Sequence, residues 1–209
     1  MQRRVGAAGR LYLPTDLVVA RADGTHRRVV YTDPYKALDR PAWSPDGTRI
    51  AVGAGNGIHV IELATRRTHR VGFGRLPAWS PYADEIVTGG CILYAYDAAT
   101  GVRLRPAETI VCYPERHATA PAWSPNGASI AFTLTLNEFA TCEIMRTGRA
   151  LWPQSEWVSL GPGRYPAWSP NGRTIAFSSC GGGPSRLYLM SADGTRRRPL
   201  LKGSRTVPS

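Results

Sequence analysis

Long apolar runs are missing from this chain. None of its 209 residues sits in a stretch approaching the ~20 apolar residues of a membrane-spanning helix, so such a helix is excluded. Lysine is nearly absent: of 26 basic residues only Lys36 and Lys202 are lysines. Arginine forks suit phosphate oxygens, but abundant arginine, alanine, glycine and proline also follow from GC-rich coding. The net charge of +11 is therefore weak ground for a nucleic-acid partner. The four histidines (26, 59, 69 and 117) show no ligand spacing for a metal. There is no Gly-x-Ser-x-Gly elbow, no phosphate-cradling loop ending in Lys-Ser/Thr and no Cys-x-x-Cys. Nothing here supports catalysis, and no cofactor is expected. Met1–Arg4 would serve as the basic start of an export signal, but Val5–Arg10 is too short and polar to be its core. A mature chain, a fragment and a cytoplasmic protein all fit that start.

Turn residues, by contrast, are abundant. Glycine (22) and proline (17) make up 39 of 209 residues, about 19% against the usual ~12%. Such a composition favours short strands over long helices. Pro-Ala-Trp-Ser-Pro occurs four times, centred on Trp43, Trp79, Trp123 and Trp168, at spacings of 36, 44 and 45. Within each copy an Ala-Trp-Ser strand stops at a turn such as Pro45-Asp46-Gly47, Pro125-Asn126-Gly127 or Pro170-Asn171-Gly172. Proline presets φ there, and Asx-Gly tolerates positive φ. A second strand follows (Arg49–Val52, Glu85–Thr88, Ser129–Phe132, Thr174–Phe177), then a third such as Ile58–Ile61, Ile92–Tyr96 or Leu187–Met190. A second tight turn, Ala192-Asp193-Gly194 for example, leads to an arginine-rich fourth strand. Four antiparallel strands per ~42 residues with no helical period describe a β-propeller blade. The reading is an all-β propeller of four-stranded antiparallel blades, about five in number, forming one domain over 1–209. Full repeats start near 41, 77, 121 and 166, and a partial repeat spans 10–31. Residues 204–209 could complete that partial copy and close the ring; a fragment of a six- or seven-bladed protein is the other reading.

The strings PAWSPDGTRIAV and PAWSPNGRTIAFSSCGGGPSRLYLMSADGTRRRPL resemble the repeats of TolB-type propellers, a WD-like family. The resemblance covers about 16–201. The second full copy departs from it, because Pro81-Tyr82-Ala83-Asp84 lacks the turn glycine and predicts a looser hairpin. The family implies a non-catalytic scaffold that binds a protein or peptide, periplasmic or secreted, in the bacterial cell envelope. A cytoplasmic chain remains the alternative, since the start shows no clear signal. The separate α/β domain expected of the family's namesake is not seen. A second function class stays open, the accessory propeller of a larger prolyl-oligopeptidase-like hydrolase. Propeller lyases form a third, for which no histidine metal site is visible.

Tryptophan and serine recur in every copy, which marks them as packing elements rather than a catalytic set. All four tryptophans are expected to be buried between neighbouring blades. The fourth-strand arginines (27–28, 66–67, 103, 105 and 196–198) read as a charged band that keeps outer strands from pairing with other chains. They lack the interleaved aromatics that stacking on bases needs, which argues against nucleic acid. Strand alternation places the short turns at one end of each blade. The variable loops (53–57, 88–91, 133–142, 178–186) and the blade connections (32–40, 72–76, 109–120, 159–165) fall at the other, where binding usually resides. Tyr113, Glu115, Arg116 and His117, in one of the longest connections, are the candidate partner-binding residues. Cys112 and Cys142 fall on that face in adjacent copies and are the one plausible disulfide pair if the chain is exported; the alternative is four reduced cysteines serving as small hydrophobes. Cys91 and Cys180 sit two copies apart, too far to bridge.

Overall fold

The structure, a computed structural model, describes residues 4–5, 11–12, 14–34, 38–55, 57–104, 116–136, 141–149, 157–181 and 185–200. They fall into two compact units, 1–110 and 111–209. In the first, β1 (Arg4–Val5) pairs with β2 (Leu11–Tyr12), and β3 (Thr15–Val19) with β4 (Arg28–Asp33). Next comes a four-stranded meander, β5 (Ala42–Trp43), β6 (Arg49–Ala54), β7 (Gly57–Glu62) and β8 (Thr68–Gly72). A three-stranded sheet follows: β9 (Arg75–Trp79), β10 (Glu85–Gly89) and β11 (Tyr94–Asp97). The second unit holds two four-stranded meanders. One is β12 (Arg116–Trp123), β13 (Ser129–Leu136), β14 (Thr141–Gly148) and β15 (Val158–Pro162). The other is β16 (Arg164–Trp168), β17 (Thr174–Ser178), β18 (Leu187–Ser191) and β19 (Arg198–Pro199). Every pairing is antiparallel, and no helix occurs among the described residues. This is the expected all-β blade architecture.

The repeated Ser-Pro-Asx-Gly string has a direct physical reason. Ser44, Ser124 and Ser169 donate their hydroxyls to the side chains of Asp46, Asn126 and Asn171 at 2.6–2.7 Å. The same hydroxyls accept the backbone N–H of Arg49, Ser129 and Thr174. Each serine thus ties the end of the first strand to the start of the second. The turn glycines at 47, 127 and 172 adopt φ of 64–68° and donate to the serine carbonyl. Ala83 makes no such bond and keeps an ordinary φ, so the second hairpin is open, as its missing glycine foretold.

These turns also hold charge. The Ser44 hydroxyl first, then the Thr48 N–H and hydroxyl, depress the Asp46 carboxyl to about 2. Thr25, Thr100 and Thr195 lower Asp23, Asp97 and Asp193 in the same way. A carboxylate depressed in the folded state stabilises above its unfolded pKa and loses that contribution as pH falls through the folded one. The thermal midpoint should therefore drop between about pH 4 and about pH 2. Asp46→Asn keeps the turn, as Asn126 and Asn171 do, and should make that drop shallower. An acid limb identical to the parent's would refute the assignment.

Two second strands are almost wholly buried: β10 throughout, and β6 at all but its first residue. Trp79 packs with Ala51, Ile58 and Val60 of the preceding sheet. Trp168 packs with Ala131 and Ile144 of its own preceding sheet and donates its indole N–H to the Ala122 carbonyl at 3.1 Å. Close approach sets the sequence at Gly72, where a Cβ would lie 2.4 Å from the Tyr96 ring.

Several expectations need correction. Trp43 is half exposed, at 50%. Among the described residues the sheet before it contributes only β3 and β4, so no described inner strand covers its indole. Leu11–Tyr12 pairs with β1 instead of extending β3. In the second full copy the fourth strand is represented among the described residues by a single bridge between Arg103 and Tyr96. In the third copy it begins only at Val158. The arginine band is also broken at Arg197. Its guanidinium turns inward, lies 4.5 Å from the Phe177 ring centroid and donates to the Leu160 and Pro162 carbonyls of β15. Gly161, at φ 95°, leaves room for it, since a Cβ there would sit 2.6 Å from Arg197 Nη1.

Candidate functional site

The blade connections are shorter than the spacing of the repeats suggested. Only Gly163 separates β15 from β16, and only Phe73 and Gly74 separate β8 from β9. The stretches read as loops at 159–165 and 116–120 are largely strand. Tyr113 and Glu115 lie outside the described residues. Arg116 and His117 open β12, opposite Leu136 and Thr135 of β13, rather than sitting in a loop. His117 is exposed there.

In the same cross-strand row Thr135 faces Cys142 of β14. Cys142 is joined to Cys180, two residues past the end of β17 in the next sheet, with Cα atoms 6.0 Å apart. The expected Cys112–Cys142 bond is thereby overturned. The physical reason is register: β13 and β14 pair out to Leu136 and Thr141, which carries Cys142 to the loop end of the sheet, where Cys180 of the neighbouring sheet arrives. Cys91 is also disulfide-bonded.

A kink recurs three residues before the tryptophan in three copies. Leu76, Ala120 and Tyr165 adopt φ of 50–56° at a register shift between the first and second strands. A left-handed non-glycine residue costs roughly 1–2 kcal/mol and needs fixed partners. The Tyr165 N–H donates to the buried Thr133 hydroxyl at 2.9 Å, and the Leu76 N–H to Asp39. The kink leaves Tyr165 exposed on the first strand, with the Arg164 guanidinium 5.5 Å from its ring centroid. Arg164 donates to the Ser185 hydroxyl at 2.8 Å, while its buried Nε has no partner. In the other unit the equivalent Arg75 forms a two-point ion pair with Asp39 at 2.9 and 3.2 Å. Arg164 and Tyr165 escaped the sequence reading because they were counted as one more connection. Their offset from Trp168, matching Arg75 and Leu76 before Trp79, was the available signal.

Two other histidines are engaged elsewhere. A ring nitrogen of His69 lies 2.9 Å from the Ala98 carbonyl oxygen. His59 stacks on Tyr31 and is pushed towards the neutral form by burial first, then by Arg70. The two are not opposed: His59 faces Arg70, and His69 faces Val60. What the second unit offers at its loop end is a cation, two hydroxyls, an exposed phenol and an imidazole on rigid strands. That set suits polar contact with a polypeptide.

No family model matches the chain. Over 86 residues it is 31% identical to the Tol-Pal system protein TolB of Francisella tularensis subsp. holarctica (strain LVS), a match covering 37% of this chain and 19% of that protein. Among solved structures, TolB from Acinetobacter baumannii superposes with a TM-score of 0.65 at 18% identity, over 88% of this chain and 48% of that one. The chain has the TolB-like propeller fold. It spans about half of that TolB structure. The fold is shared with an oligogalacturonate lyase in complex with manganese, at a TM-score of 0.61 and 17% identity, over 92% of this chain and 61% of that one. A puromycin hydrolase shares it too, at a TM-score of 0.58 and 16% identity, over 85% of this chain and 30% of that one.

Proposed function

We propose that this chain is a non-catalytic TolB-like scaffold that binds a protein or peptide partner in the bacterial cell envelope. Contact is made through the loop ends of its sheets, by Arg116 and His117 with Tyr113 and Glu115, and by Arg164 and Tyr165 alongside. The two compact units are parts of one propeller in this reading. The observation that carries it is the Cys142–Cys180 bond beside His117. It holds two neighbouring sheets together at the end where the exposed polar side chains gather. A stable structural disulfide also belongs to an oxidising compartment, which supports export.

A photo-crosslinking residue in place of His117 should trap a discrete envelope protein. The same residue in place of Arg173, exposed in a short turn at the opposite end, should trap several-fold less. Equal trapping at both positions would defeat the assignment of the face. Recovery of the chain from the cytoplasm with labelled thiols would defeat the localisation.

The likeness to puromycin hydrolase favours a second reading, in which the propeller is the accessory part of a larger hydrolase. A Gly-x-Ser-x-Gly segment in the same reading frame would decide for it.

A further inference from the structure

The open second hairpin does more than relax a turn. Pro81 and Tyr82, with Pro45 of the preceding sheet's turn and Trp79 beneath, line a cavity of about 380 Å³ at the short-turn end. Tyr82 is 73% exposed, a large ring where the other copies carry a small Asx that closes the turn. Its backbone N–H makes only a long contact with Ser80 Oγ, at 3.4 Å. The Trp79 indole N–H is buried and has no hydrogen-bond partner among the described residues, whereas the equivalent donor of Trp168 bonds to the Ala122 carbonyl. At the rim, Arg49 is held by Asp84 at 2.9 Å and lies 4.9 Å from the Trp79 ring centroid. With Arg49 so engaged, Asp46 leaves the site one net negative charge, in a chain whose total is +11.

We propose that this cavity binds an extended, proline-containing peptide segment bearing a basic residue. Two proline rings and a phenol on one floor match the flat faces of a polyproline-type helix, which enters with little ordering cost. Asp46 and Asp84 face its cation, and the positive charge of the rest of the chain turns the same peptide away elsewhere. The site shares no residue with the face proposed above and stands independently of it.

The probe is a dye-labelled, end-capped peptide of three Pro-Pro-Arg repeats, followed by fluorescence anisotropy. It should bind saturably. A Pro-Pro-Glu peptide and a Gly-Ser-Arg peptide should each bind at least about ten-fold more weakly. The double substitution Tyr82→Asn, Ala83→Gly restores the turn chemistry of the other copies. It should keep or raise the unfolding midpoint and weaken binding by about ten-fold. Arg173→Ala, in the exposed turn after Trp168, should leave the affinity unchanged. Absence of saturable binding to the parent would overturn the proposal. So would equal affinity in the restored-turn variant, equal affinity for the glutamate peptide, or loss of binding with Arg173→Ala.

Discussion

Replacing Trp79 with alanine is expected to destabilise the protein by about 3–5 kcal/mol, and the same change at Trp43 by less than about 1 kcal/mol. The two residues occupy the same place in the repeat, so composition and local sequence cannot separate them. Their surroundings do. Trp79 is only 7% exposed and fills a cluster with Ala51, Ile58, Val60 and Ile86. Removing it forfeits the transfer of a large aromatic from water and leaves a void that rigid neighbouring strands cannot collapse. It also strips the Arg49 guanidinium of the ring beside it. Trp43 is half exposed and has no place in the described cluster formed by Leu17, Val30, Ile50, Val52, Ile61 and Leu63. Urea unfolding of the two variants gives the comparison directly. Equal losses would mean that Trp43 is covered as Trp79 is.

The blades were legible because their determinants are local. Ser-Pro-Asx-Gly closes its own turn through hydrogen bonds spanning five residues, so three copies of the string announce three closed hairpins whatever packs around them. The open hairpin was legible for the same reason, from one missing glycine. Where residues far apart decide the outcome, the string alone misled. The exposure of Trp43 depends on which strands precede it. The inward turn of Arg197 depends on Gly161 and two carbonyls some 35 residues away. At the candidate site, His117 was singled out for the right end of its sheet but assigned to a loop. The pairing of β12 with the far end of β13 is what extends the strand to it. Arg164 and Tyr165 went unnoticed because the register shift that turns Tyr165 outwards leaves no mark in the sequence beyond its distance from Trp168.

Non-reducing peptide mapping is expected to join Cys142 to Cys180. Trypsin leaves the two in separate peptides, 117–146 and 174–186, so the crosslinked mass is unambiguous. With none of the described cysteines free, Cys91 should appear in a second crosslink, to the one cysteine that remains, Cys112. The energetic consequence follows from loop length. The first bond closes a loop with a sequence separation of 38, which in the chain-entropy model removes roughly 4 kcal/mol of freedom from the unfolded chain. The double substitution Cys142→Ala, Cys180→Ala should lose about 3–4 kcal/mol relative to the oxidised parent. It should still respond to a reductant, through the bond at Cys91. The loss should fall on the second unit, because Cys142 in β14 and Cys180 after β17 both belong to it and tie its two sheets at one end. Amide hydrogen exchange of β13, β14 and β17 should accelerate in the variant, while β6 and β7 keep their protection. A Cys112–Cys142 crosslink in the parent, or unchanged protection in β14 and β17, would remove the bond from its place between the two sheets.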